Sequence, residues 1–407
     1  MRENGVQLDQ SVSQRRGTTT HTLQLRLNAF EALDASADTH LHEYLVAHDV
    51  FESIWRDEIS FLFAPAGGGK SAFRARVAGA CRAGEDGRRV FPIVYMLPET
   101  VVLADEAERL SAHLRGIRWA AAYELFLRFA HWPHEFTSTD RETQRIARTL
   151  LERDLRPSLR HLLNQLAPRP DEGPEARLRN VAQPYDPGAV WLNPPGEESL
   201  AKFREAMERT PILDDVAWPD DDLTPWSDLL LNRMDFEAIY LLVDGVDAYP
   251  ETIRDADKAV ALIRPLLDRA SEWSQKGLFM KAFLPIETET AIKRAFPLLT
   301  SRGNTVIIRW TRELLIELLK RRVAVALNTE RASLDMLAYP GFRGVDARVV
   351  SVVDPLPREV LAFASRMLRN MQQRQGGLQR LMQDDFDAAL GWYTADRRKE
   401  RPHESSR

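Results

Sequence analysis

One cysteine, Cys81, stands in 407 residues, so no disulfide can close within the chain and a reducing compartment is expected. Long apolar runs are missing as well. No stretch reaches the about 18 apolar residues that cross a bilayer, and residues 1–20 are polar, without the apolar centre of a signal peptide. A cytoplasmic protein with no membrane partner is expected. An excess of one charge is also absent: 55 Lys and Arg against 60 Asp and Glu leave a net charge of −5, which gives no basis for general nucleic-acid affinity. There is no internal repeat. What is present is 44% hydrophobic residues, enough to build the cores of more than one domain.

The most informative segment is Phe61-Leu-Phe-Ala-Pro-Ala-Gly-Gly-Gly-Lys-Ser71. An apolar run turns through three glycines into a lysine and a serine that open an amphipathic stretch, which predicts strand, loop and helix. Glycines let consecutive N–H groups wrap around a polyphosphate, and a helix N-terminus favours the same charge. The spacing assigns Ala66, Gly67, Gly68, Gly69, Lys70 and Ser71 to nucleotide, with Lys70 on the β- and γ-phosphates and Ser71 on Mg2+. Ala64 stands where the first glycine of such loops is usual.

Five strands are expected, at Ile59–Ala64, Val90–Leu97, Ala238–Val243, Gly277–Leu284 and Thr305–Trp310, with helical patterns between them. That is the layout of an α/β fold with a five-stranded parallel sheet flanked by helices. A helical approach over Leu41, Tyr44, Leu45, His48, Phe51 and Ile54 precedes the first strand. Ten of the 23 prolines fall between Pro168 and Pro225, so that stretch reads as either a long irregular insertion or a linker. After Thr311, an expected N-cap, only helical patterns follow up to Trp392. The expected divisions are a flexible lead over 1–20, a P-loop core over 21–310 with the proline-rich insertion at about 135–225, a helical domain over 311–395 and a flexible tail over 396–407.

The strand Ala238-Ile-Tyr-Leu-Leu-Val-Asp244 ends in Asp244-Gly-Val-Asp247. A carboxylate at the C-terminal end of a buried strand beside the loop would couple to Mg2+, so Asp244 joins Ser71 as a metal candidate, and Asp247 is placed to polarise water. An Asx turn closing a strand would give the same string.

With these motifs the chain resembles P-loop ATPases of the AAA+ and STAND groups, NACHT-like in Asp-Gly-Val-Asp and origin-recognition-like in Val306–Arg322. The resemblance covers roughly 28–130 and 226–395. It implies ATP and Mg2+ as cofactors, ATP bound between core and lid, and a regulatory or assembly ATPase that works as a switch through an unidentified protein partner, with homo-oligomers in the AAA+ case. It also implies catalytic parts for Asp247, for Arg358 of Asp354-Pro-Leu-Pro-Arg-Glu359 as a second sensor, and for Arg302 as an arginine reaching a neighbouring subunit's nucleotide. Ala248 stands where the family often has a further acid, with Glu251 beyond it. Lys281, Glu287 and Thr288 all stand where a first sensor is sought.

Two other classes fit parts of the pattern. A P-loop kinase would need an acceptor site, for which there is no signature. A DNA-binding or DNA-loading ATPase would use Arg321, Arg322, Arg366, Arg369, Arg374 and Arg380, which a solvated helix face explains equally. The pairs His40/His42 and His131/His134 have ligand spacing without further ligands to complete a site. Trp119, Trp132, Trp226 and Trp310 sit in apolar periodic surroundings and read as core.

Overall fold

Five apolar stretches form one parallel sheet: β1 (Ser60–Ala64), β2 (Val90–Met96), β3 (Ala238–Asp244), β4 (Leu278–Pro285) and β5 (Asn304–Ile307). The order across the sheet is β2-β3-β4-β1-β5, and every pairing is parallel. All residues of β1 and β3 are buried, as expected of strands covered by helices on both faces. β5 ends at Ile307, three residues short of the expected Trp310. Among the described residues it is an edge strand paired with β1 alone, and the last bond, Ile308 N to Phe63 O at 2.9 Å, uses up β1 where the glycine loop begins.

This computed structural model describes residues 30, 38, 40–189, 194–213, 218–219, 222–374 and 380–397. The chain divides into two units: a sheet unit, Asp49–Ala66 with Lys70–Ile308, and a helical unit, Met1–His48 with Gly67–Gly69 and Arg309–Arg407. The expected lead over 1–20, and all of the expected tail except Asp396 and Arg397, lie outside the described residues.

In the sheet unit, α1 (Lys70–Ala83) follows the glycine loop and α2 (Glu106–His131) follows β2. The proline-rich stretch corrects the expectation of irregular chain. It holds α3 (Arg141–Asp154), α4 (Leu159–Gln165), α5 (Pro174–Ala182) and α6 (Glu197–Arg209). The prolines fall at helix starts and breaks. Pro174 occupies the first turn of α5 and Pro225 that of the helix Thr224–Ser227, where a missing N–H costs nothing. Leu162, Leu178, Leu200 and Phe203 are buried, and the Phe203 ring meets Phe126 of α2 edge-on at 5.8 Å. The stretch is tied to the sheet by Val94 N, which donates to the Tyr185 hydroxyl at 3.0 Å. Asp214, Asp215, Asp220 and Asp221 of this stretch lie outside the described residues. Between β3 and β4 runs α7 (Ala256–Gln275).

The helical unit contains α8 (Arg312–Leu327), α9 (Val345–Val352), α10 (Pro357–Gln373) and α11 (Gln383–Trp392). Thr311 caps α8, its hydroxyl accepting from Leu314 N. Leu315, Leu319, Val323, Val349, Phe363 and Met367 share one core. An isolated parallel bridge, Ala338 to Leu381, is added to the expected helices. Near the chain start the expected helical approach is two short helices, Leu41–Tyr44 and Val50–Ile54. They are broken where Leu45 turns extended and Asp49 caps the second, accepting from Val50 N at 3.0 Å.

The topology locates the place where a ligand can enter the sheet unit. From β1 the chain runs to β2 at the far edge, whereas from β4 it passes β1 in the other direction to β5. If both crossovers take the usual right-handed course, their helices fall on opposite faces, and in such sheets ligands bind at the C-terminal ends of the strands where the direction reverses, here the adjacent strands β1 and β4. The glycine loop leaves β1 at that edge, and Asp244 closes β3 along it.

Candidate functional site

Gly67 and Gly69 take φ of 77° and 94°, left-handed values that only glycine adopts at low cost. Among the backbone hydrogen bonds of the described residues outside helices and strands, none has the N–H of Ala66, Gly67, Gly68 or Gly69 as donor. The carbonyls are used instead. Within the helical unit, to which Gly67–Gly69 belong, Arg358 N donates to Gly67 O at 3.4 Å and Trp310 Nε1 to Gly68 O at 2.9 Å. In sequence the glycines lead straight into a 14-residue helix, whose first N–H groups have no partner within the helix.

Lys70 begins α1 and is 7% exposed. Its Nζ donates to Ala64 O at 3.4 Å and lies 3.0 Å from Asp247 Oδ2. Asp244, 2% exposed, receives Gly245 N on Oδ1 at 2.8 Å and Arg74 Nε on Oδ2 at 3.2 Å. Arg74 Nη1 is 3.6 Å from Asp186 Oδ1. Asp186 also takes Arg82 Nη1 at 3.0 Å, and the rest of the Arg82 guanidinium forks onto Glu124 at 2.9 and 2.6 Å. Burial works to raise the Asp186 carboxyl, but Arg82 and then Arg74 outweigh it and hold the group below the usual carboxylate range. Unpairing one member of such a buried set costs about 3–5 kcal/mol.

The donors present fit a polyphosphate with Mg2+. Lys70 and the loop N–H groups supply a cation and neutral donors. Ser71, next on α1, and Asp244 supply the hard oxygen ligands that Mg2+ prefers. Each Asp244 oxygen spends one lone pair within the protein and keeps another. Among the described residues no group of three or more His, Cys, Asp or Glu is gathered as a metal cage, and Mg2+ ordinarily draws its remaining ligands from phosphate and water.

Within the sheet unit, Arg302 and Lys281 lie away from these. Arg302 is exposed at the end of the helix Pro297–Arg302, just before Asn304, which pairs in register with Ser60 at the start of β1. It therefore lies at the opposite sheet edge from Asp244. Arg358, in the first turn of α10, lies against Gly67 in the helical unit, its Cβ 2.9 Å from where a Cβ on that glycine would stand. Lys281 is at the Arg302 edge, donating to Arg56 O at 2.5 Å, Glu58 O at 2.8 Å and Ser60 Oγ at 3.2 Å. Thr288 is buried and bonded to Pro285 O at 2.7 Å, while Glu287 and Glu251 are exposed.

Of the six arginines on the helical patterns, Arg322 is buried against Asp38 at 3.2 Å, and Arg321 and Arg374 pair with Glu317 at 2.8 Å and Asp385 at 3.0 Å. His40 pairs with Glu43 at 2.6 Å, and His131 is buried. Trp226 is core at 1% exposed, whereas Trp119, Trp132 and Trp310 are half-buried. Cys81, also on α1, is 2% exposed, and burial pushes its thiol well up.

Arg74, Arg82, Glu124 and Asp186 are absent from the sequence reading of the site. One signal was present. Lys70, Arg74 and Arg82 fall on one stripe of α1 together with Ala78, at steps of four residues, and the same face carries Val77 and Cys81. Cations on an apolar face require buried acids.

Comparisons with protein-family models, curated proteins and solved structures return no match. Among the described residues no helix is long and apolar enough to cross a membrane.

Proposed function

We propose that the chain is a cytoplasmic P-loop ATPase that binds ATP with Mg2+ on the Ala66–Ser71 loop and works as a nucleotide-dependent switch for a protein partner. The observation that carries the reading is Lys70. A lysine buried at the head of a 14-residue helix, directly after a glycine-rich loop in sequence and 3.0 Å from Asp247 just beyond β3, supports a reading in which that cation receives an anion. In this reading α8–α11 are the lid-type domain of such ATPases.

Lys70 exchanges Asp247 for the terminal phosphates and neutralises their charge. Asp247, released, accepts a hydrogen bond from water and orients it, while the loop N–H groups hold the phosphate chain in place. Ser71 and Asp244 would hold Mg2+, which when bound would offset charge developing on the phosphate oxygens. Arg302, at the far sheet edge, serves a neighbouring copy if it serves any site.

Calorimetric titration of ATP and Mg2+ into the parent and Lys70→Ala tests the assignment. The variant should bind about 2–4 kcal/mol more weakly, the size of a lost charge-assisted contact. Equal affinity in the two proteins removes the phosphate-loop assignment.

A further inference from the structure

Arg74 is 1% exposed and stands between acids from distant parts of the chain: Asp244 at the end of β3 and Asp186 just beyond α5. Asp186 in turn shares Arg82 with Glu124 of α2. The result is an alternating line, Asp244, Arg74, Asp186, Arg82, Glu124, in which every side chain is buried. Its central acid is anchored, because the neighbouring Tyr185 hydroxyl is bonded to β2 through Val94 N. The α3–α6 stretch thus delivers one negative charge to the far side of the cation that touches Asp244.

We infer that Asp186 and Arg74 are positioning residues that set how strongly Asp244 attracts a divalent cation. The inference rests on the assignment of Asp244 to Mg2+ proposed above. A guanidinium divided between two carboxylates neutralises each only in part, and in a buried site that difference is large. With Asp186 in place, Arg74 leaves Asp244 enough negative charge to hold a metal ion. With Asp186 uncharged, the whole guanidinium falls to Asp244 and competes with the metal. The helical stretch between α2 and β3 therefore acts on the metal requirement of the nucleotide site, through Arg74, without touching nucleotide.

The test is calorimetric binding of a non-hydrolysable ATP analogue with and without Mg2+, and the quantity read is the factor by which Mg2+ tightens binding. In Asp186→Asn this factor should fall on the order of tenfold while metal-free affinity stays parental, and Asp186→Glu should restore it. In Arg74→Gln the factor should rise, because Asp244 loses its competitor. A merely structural role would lower thermal stability in both variants and move the factor in neither, or lower it in both; either result overturns the inference. If Asp186→Asn does not fold, Arg74→Gln decides: a parental or reduced factor overturns it. A parent that binds no analogue overturns the proposed function and this inference together, whereas parental analogue binding with a factor indifferent to both residues overturns this inference alone.

Discussion

Lys70 Nζ lies 3.0 Å from Asp247 Oδ2, so the cation assigned to phosphate and the acid assigned to water neutralise each other. In the function proposed above, phosphate would take Lys70 from that carboxylate, and Asp247 would become available for water in the same exchange.

Asp247→Asn should therefore separate the two steps. Removing the competing charge should tighten ATP binding by up to ~1 kcal/mol, the scale of a partly exposed pair, while phosphate release falls at least a hundredfold. Titration calorimetry and a phosphate-release assay read the two quantities. Turnover at the parental rate would move the base role elsewhere, with Glu251 next in the chain.

Two glycines near each other in sequence should respond in opposite directions. Gly67→Ala forces φ of 77° on a residue with a Cβ and drives that atom to within 2.9 Å of Arg358 Cβ, so a loss of about 1–3 kcal/mol is expected. Gly79→Ala, within α1 and with nothing within 4 Å of the new Cβ, should gain about 0.5–1 kcal/mol. Urea unfolding midpoints compare them, and a Gly67→Ala protein as stable as the parent would contradict the loop conformation.

Stability should fall as pH drops below neutrality for a reason other than carboxylates. His113 and His131 are buried neutral, pushed by burial from 6.5 to about 4 and about 3. Below 6.5 the unfolded chain binds the protons that the folded chain refuses, so each histidine removes roughly 2 kcal/mol by pH 5. Asp186, held below the usual carboxylate range, contributes its own loss only at more acidic pH. A double His113→Asn, His131→Gln protein should show a flatter decline between pH 7 and pH 5 in denaturant titrations; an unchanged slope would clear both residues.

The opposite window belongs to Lys281, which burial pushes from 10.5 down to about 7 against the pull of Glu58 and Asp57. Between those values the unfolded chain holds the extra proton, so stability rises with pH, by on the order of 1 kcal/mol from pH 7 to pH 8.5. Lys281→Met should abolish that rise. Parallel slopes in the two proteins would mean that the lysine is charged throughout.

How much was legible follows from what each element asks of the chain. The core strands are short apolar runs bounded by turn residues, and a buried parallel strand has no other requirement, so β1 to β4 stand within one or two residues of expectation. β5 fails at its end because pairing with a single neighbour stops where Ala64 stops, a limit set by another part of the chain. The α3–α6 stretch was misread because prolines were weighed by number rather than by position, and Pro174 stands where a helix begins. Lys70 and Asp247, which the fold brings within 3.0 Å of each other, are marked in sequence by the glycines and the strand end close by. Asp186 has no local mark: it lies 104 residues from Arg82, and only folding makes it a partner.

Cys81 is the sole sulfhydryl of the chain and lies buried on α1 with its proton held on. A thiol-reactive dye can attach only in moments when α1 lifts away, and each attachment is permanent. The slow uptake of one equivalent of dye by the folded protein is thus a clock for openings of the sheet unit, and if ATP binds as proposed, its addition should slow that clock by clamping the helix that carries Lys70.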